Sequence, residues 1–207
     1  MKTKLILLFF ILNISAFAQD LPPIVNYTPT VYAAGNQNWM IAQDQNQFVY
    51  FANNEGLLEF NGSYWKLYPS PNETILRSVK VIGDRIYTGS YMEFGYWKRQ
   101  KNGLLRYYSL SKTIQTTLLD DEQFWNILTY DGWIVFQSLD RIYIYNIKKR
   151  SFKIIAPAAP IIKSFSAGNS IYYQVSGHGL YEIEGGLSKL VSSDPILKNN
   201  HIVNVFL

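Results

Sequence analysis

A unit of four short apolar runs, separated by tight-turn residues, recurs along this chain. It is clearest from Trp39 to Tyr68, WMIAQDQNQFVYFANNEGLLEFNGSYWKLY. WMIAQ and FVYFA flank a turn at Asp44-Gln45-Asn46-Gln47, and both are rich in the β-branched and aromatic residues that strands favour. Asn53-Asn54-Glu55-Gly56 turns the chain into Leu57-Leu58-Glu59-Phe60. Asn61-Gly62 then leads to Tyr64-Trp65-Lys66-Leu67-Tyr68. Asn-Gly between apolar runs predicts a type I′ hairpin, which needs positive φ at both central residues. Pro69 ends the unit, because proline cannot donate to a ladder.

The same order of elements returns three times. First strands start at Trp39, Arg77, Trp125 and Lys163, and a further one at Ile202, giving separations of 38, 48, 38 and 39 residues. The turns Gly83-Asp84, Asp131-Gly132 and Gly168-Asn169 follow the later first strands. A period near 40 residues with four strands per unit predicts an all-β protein, a β-propeller. The expected blades are 39–71, 77–112, 125–157 and 163–193, with 202–207 starting the next. The second repeat is longer, and its surplus between Lys98 and Gln123 predicts a short helix near Thr113 to Glu122. Four blades and one extra strand imply an incomplete ring, hence the N-terminal part of a longer protein. The other reading is a four-bladed ring closed by the Val203 strand.

Residues 1–18 read as a secretory signal: Lys2 and Lys4, then an apolar run from Leu5 to Leu12, then Ala16-Phe17-Ala18 before Gln19. The apolar run is too short to span a bilayer, which takes about 20 residues. Residues 19–38 form an irregular lead-in with Pro22, Pro23 and Pro29, expected to lie across the first blade. The formal charge of +4 falls to +2 without the two leader lysines, and no basic stripe suits nucleic acid. Lys148-Lys149-Arg150 falls at a strand-to-strand turn and reads as solvated. There is no cysteine, so no disulfide framework.

The residues of the first repeat resemble the two-component regulator propeller repeat. Ile41-Ala42-Gln43-Asp44, Val49-Tyr50-Phe51-Ala52-Asn53-Asn54-Glu55-Gly56-Leu57 and Phe60-Asn61-Gly62-Ser63-Tyr64-Trp65 carry that likeness. Looser copies keep Tyr87-Thr88-Gly89 and Gly179-Leu180-Tyr181, and the third repeat has Arg141-Ile142 where Gly-Leu is expected. Together with Tyr91-Met92-Glu93-Phe94-Gly95-Tyr96-Trp97, the region is similar to the outer part of large Bacteroidetes-type membrane regulators. The resemblance implies a periplasmic sensor. It would be followed by a triple-tyrosine domain, a membrane helix in that later part, and a LuxR-type helix-turn-helix or histidine kinase. It also implies a glycan or protein ligand and a dimer of the full-length protein.

No catalytic constellation stands out. His178 and His201 are too far apart and too isolated for a metal site, and Asp120-Asp121-Glu122 lacks the alternation of a calcium loop. Asp44, Asp84 and Asp131 recur at first turns, where they stabilise the local backbone. No metal or cofactor is expected. The five tryptophans fit packing between blades, and also a sugar-stacking platform. In a propeller, one face gathers the turns between second and third strands together with the starts of the blades. That face is expected to carry Asn53, Glu55, Tyr91, Glu93 and His178, joined by Asn38, Arg77, Gln123 and Lys163. Polar groups on an aromatic wall suit a polar ligand such as an oligosaccharide. Three functions are consistent with this: a sensor, an exported polysaccharide-cleaving propeller for which Glu55 and Glu93 are the one carboxylate pair on matching turns, and an interaction scaffold.

Overall fold

The computed structural model describes residues 24–205. The expected export signal and the last two residues of the expected fifth-repeat strand lie outside that range. A short helix, α1 (Pro29–Tyr32), precedes the first sheet. That sheet holds β1 (Asn38–Gln43), β2 (Val49–Asn53), β3 (Gly56–Phe60) and β4 (Trp65–Pro69). The second holds β5 (Leu76–Ile82), β6 (Arg85–Ser90), β7 (Phe94–Arg99) and β8 (Leu105–Ser109). The third holds β9 (Asn126–Tyr130), β10 (Trp133–Gln137), β11 (Ile142–Asn146) and β12 (Ser151–Ile155). The fourth holds β13 (Ile161–Ala167), β14 (Ser170–Val175), β15 (Gly179–Glu184) and β16 (Leu187–Ser192), followed by α2 (Pro195–Asn199). In every sheet the strands lie in chain order, so each expected repeat is one antiparallel blade. Among the described residues no helix is long and apolar enough to cross a membrane.

Two local expectations change. Phe60 pairs with Trp65, so the first Asn-Gly turn spans residues 61–64 and is no two-residue type I′ hairpin. Asn61 explains it: its side-chain Oδ1 accepts the N–H groups of Ser63 and Tyr64, both at 2.9 Å. The expected helix near Thr113 to Glu122 is reduced to one 3-10 turn, Ser111–Thr113. There the Glu122 carboxylate accepts the Leu119 N–H at 3.1 Å and holds the segment in an irregular path. Ile202 to Val205 runs without a ladder partner among the described residues. The Ile202 N–H donates to Gln174 Oε1 at 2.8 Å, which ties the segment to the fourth blade.

The blades stack face to face. Tyr50, Leu57 and Tyr68 of the first pack on Val79, Ile86 and Trp97 of the second. Tyr87 and Phe94 of the second pack on Ile134, Phe136 and Tyr143 of the third. Val135, Ile142 and Ile144 meet Ile161, Ile171 and Tyr173 of the fourth. The outward face of the first blade is covered by the lead-in: Tyr27 and Tyr32 lie 5.2 and 5.5 Å from the Trp65 ring. Near the axis, β1 lies against β5, β5 against β9, and β9 against β13.

One ion pair crosses from the first blade to the second. Arg99 Nη2 binds the Glu59 carboxylate and donates to the Tyr50 hydroxyl at 3.0 Å. The Glu59 side chain is 5% exposed and that of Arg99 33%. Removing Arg99 alone strands a buried carboxylate. Arg99→Met should therefore cost about 3 kcal/mol, the low end for a broken buried pair, since Arg99 is partly wet. Arg99→Met with Glu59→Leu should recover most of that loss, as read from urea unfolding of both variants.

Candidate functional site

The innermost strands begin with an irregularity. Pairing slips between Asn38 and Met40, between Leu76 and Ser78, and between Ile161 and Lys163. The extra residues are Trp39, Arg77 and Ile162. A bulge turns its side chain away from the regular alternation. In the third blade Trp125 stands one residue before β9 and donates its N–H to the Gln137 carbonyl at 2.9 Å.

The tight arc of blades brings three of these residues together. The Arg77 guanidinium carbon lies 4.1 Å from the Trp39 ring centre and 4.6 Å from that of Trp125. The two indoles, from the first and third blades, are 6.0 Å apart and nearly perpendicular. Arg77 Nε donates to Gln123 Oε1 at 3.0 Å. Trp39 Nε1 donates to Asn54 Oδ1 at 2.8 Å. Burial lowers the Arg77 pKa, but a guanidinium stays protonated. The cation sits in the corner that the two perpendicular indoles form, each π contact worth about 0.5–2 kcal/mol. Its Nη edge has no hydrogen-bond partner among the described residues. This edge can receive an acidic or carbonyl oxygen, while the exposed flank of Trp39 offers a flat apolar surface.

The nine residues expected on this face do not form one cluster. Arg77, Gln123 and Tyr91 come together: Tyr91 bridges Gln123 through the backbone, and its hydroxyl donates to Asp121 Oδ1 at 2.7 Å. Asn53 is fully buried and donates to Gly35 O and Asn38 Oδ1 at 2.7 and 2.8 Å, a brace between lead-in and blade. Glu55 gives its N–H to Asn53 Oδ1, and the residue is exposed. Glu93 is buried, and its Oε1 accepts from Tyr107, Ser109 and Ser111 at 3.0, 2.8 and 2.7 Å. The Glu55–Glu93 pair is thus split between surface and interior. Lys163 donates to the Val203 carbonyl at 3.0 Å, and His178 sits in an exposed turn with Nδ1 2.8 Å from Ser176 O. Among the described residues no group of three His, Cys, Asp or Glu could hold a metal ion. The sequence expectation leaves the tryptophans between packing and sugar stacking and does not place Trp39 or Trp125 on this face. The signal was present: residues 39, 77 and 125 occupy the same step of successive repeats and alternate Trp, Arg, Trp.

Blades of four antiparallel strands set side by side around an axis define a β-propeller array. Solved structures of the same fold include the extracellular domain of the hybrid two-component system BT4673 from B. thetaiotaomicron. It aligns at TM-score 0.58 and 17% identity over 76% of this chain and 21% of that one. The extracellular domain of the hybrid two-component system BT3049 from the same organism aligns at 0.58 and 16%, over 86% of this chain and 25% of that one. An ancestral GH74 enzyme aligns at 0.54 and 15%, over 77% of this chain and 24% of that one. This chain therefore spans between a fifth and a quarter of the length of each. No protein-family model and no curated protein sequence matches the chain.

The buried carboxylate at Glu93 has a measurable consequence. Burial, helped by the Glu93 charge, pushes the Tyr107 phenol well above its ordinary value. An unfolded tyrosine ionises near 10. Above that pH the unfolded chain sheds a proton that the folded chain keeps, so stability falls as pH rises; below it the contribution is fully present. Tyr107→Phe should flatten this alkaline loss by about 1.4 kcal/mol per pH unit. Urea midpoints of parent and variant between about pH 9 and about pH 11 check this.

Proposed function

We propose that this chain is the first part of a periplasmic sensing propeller whose parent protein carries a message across the inner membrane. The ligand is taken at the rim formed by Trp39, Arg77 and Trp125. The observation that carries this reading is Arg77, a half-buried cation with an unpaired edge, set in the corner of two indoles from different blades. Such a site suits a ligand with a ring face to stack and an oxygen to accept from the guanidinium, which favours an oligosaccharide with an acidic residue. The ligand would join the first three blades at one point. It biases signalling only insofar as it prefers one arrangement of the parent protein. Export by the leader of residues 1–18, a following triple-tyrosine segment, and a helix-turn-helix or kinase output belong to the same proposal. It is supported by the resemblance of the first repeat and by a fold shared with extracellular domains of two-component systems.

Trp39 and Trp125 report on their own site. Titrating the purified chain with uronic-acid oligosaccharides should give a saturable change in tryptophan fluorescence. Neutral oligosaccharides of equal length should bind about tenfold or more weakly, the value of one charge-assisted hydrogen bond. Arg77→Ala should abolish the difference between the two sugar classes. Equal responses to both classes in the parent chain, or no response to either, would remove the rim from this reading.

A further inference from the structure

A second site lies away from the rim, in the cleft between the second and third blades. We propose that this cleft binds a small molecule bearing a sulfate or phosphate ester, through Arg85, Arg150 and the Tyr145 hydroxyl.

The second blade contributes an unusual row of charge. Arg85 pairs with Lys98, and Lys98 with Arg106, so three cations lie directly opposite one another across adjacent strands. Like charges in that arrangement destabilise a sheet. Asp84 offsets part of it, 2.9 Å from Lys98 Nζ and 3.9 Å from Arg85 Nε. The third blade answers with another cation. Its β11–β12 turn closes with Arg150 in a left-handed conformation, φ 51°, with the Arg150 N–H on the Asn146 carbonyl at 2.8 Å.

Between these elements is a cavity of about 390 Å³, lined by Arg85, Tyr96, Tyr108, Tyr145, Ile147 and Arg150 among others, with no carboxylate in its wall. Tyr96 and Tyr108 stack at 5.2 Å with a 14° tilt and make a flat wall. Arg85 lies over Tyr96 at 4.4 Å, so its fork is held in a fixed plane. Tyr145 is 5% exposed, and its hydroxyl, which has no hydrogen-bond partner among the described residues, opens to the cavity. Burial raises its pKa, so it remains an O–H donor at neutral pH.

Guanidinium forks and a phenolic donor, with Asp84 drawn to Lys98 and outside the cavity wall, select an oxyanion. The volume is that of a small-molecule site and exceeds what a bare ion fills. The tyrosine wall provides the surface for the rest of the ligand. An ester of about monosaccharide size fits both requirements. Because its contacts come from two blades, it would lock them together, which the rim ligand does from the opposite end of β5.

Calorimetry of the purified chain with glucose 6-sulfate and glucose 6-phosphate at fixed ionic strength tests this, with glucose and inorganic phosphate as controls. At least one ester should bind saturably, and both controls at least about tenfold more weakly. Selectivity between the two esters identifies the oxyanion. Arg85→Gln and Arg150→Gln should each weaken binding about 10- to 100-fold, and Tyr145→Phe about tenfold. Arg77→Ala at the rim should leave it unchanged. Arg150 is exposed in a turn, so Arg150→Gln gives a folded protein even if a core-facing variant does not. Absence of saturable heat with either ester, or binding that survives Arg85→Gln with Arg150→Gln, overturns the site. Inorganic phosphate or glucose binding as tightly as the esters overturns the assignment of its ligand.

Discussion

Every central sheet in this protein is apolar on both faces, and each face is buried only by the next sheet. Successive residues of a strand point to opposite sides. Tyr143 and Ile144 are neighbours in β11, yet both are buried, Tyr143 in the core toward the second blade and Ile144 in the core toward the fourth. Antiparallel sheets usually leave one face to water. Here that option is absent, so a single blade cannot be stable alone and the stack forms as a unit. Phe94 shows how tightly: its ring lies 4.5 Å from Phe124 and 4.4 Å from Phe136, centre to centre.

Stacking wedge-like sheets around an axis crowds their inner strands, and the crowding decides what the rim can hold. A Cβ added at Gly89 would come within 2.6 Å of the Phe124 Cβ. Ser78 Oγ donates to the Phe124 carbonyl at 2.8 Å, and Asn126 Nδ2 to the Ser164 carbonyl at 3.1 Å. Small and short polar residues fill the axis because nothing larger fits. The large side chains of these strands are carried outward by the bulges, which is how Trp39 and Arg77 reach one point. Packing near the axis and chemistry at the rim are therefore two results of the same geometry.

The blade plan was legible because it rests on period-two alternation and on turn residues, both local properties of sequence. The four sheets fall on the four repeats for that reason. Side-chain placement at the rim was not legible to the same degree. Glu93 and Glu55 occupy matching turns, but three hydroxyls that arrive from β8 and the turn after it draw Glu93 inward. Lys163 was aligned with Arg77, whereas the bulge assigns that step to Ile162 and moves Lys163 one position along. A one-residue slip changes the direction of a side chain completely, and no local signal marks the slip. The segment before Glu122 failed for a related reason. Its helical propensity lost to a carboxylate whose partners, Ser138 and Tyr143, lie 16 and 21 residues further along the chain.

Polar groups at the seams between blades divide into two kinds, and the division is informative. Glu59 is met by Arg99. Glu122 is met by Ser138 Oγ at 2.6 Å and by the Tyr143 hydroxyl at 2.7 Å. Glu93 is met by three hydroxyls of its own blade and the turn after it. In each case donors and acceptors balance, which is what a seam needs in order to fix the setting of one blade on the next without leaving buried groups unpaired. The cavity that Arg85, Tyr145 and Arg150 line has donors in its wall and no carboxylate. The junction of the second and third blades thus holds both kinds: Glu122, whose oxygens are met by protein hydroxyls, and Arg85, Arg150 and Tyr145, which line an open cavity.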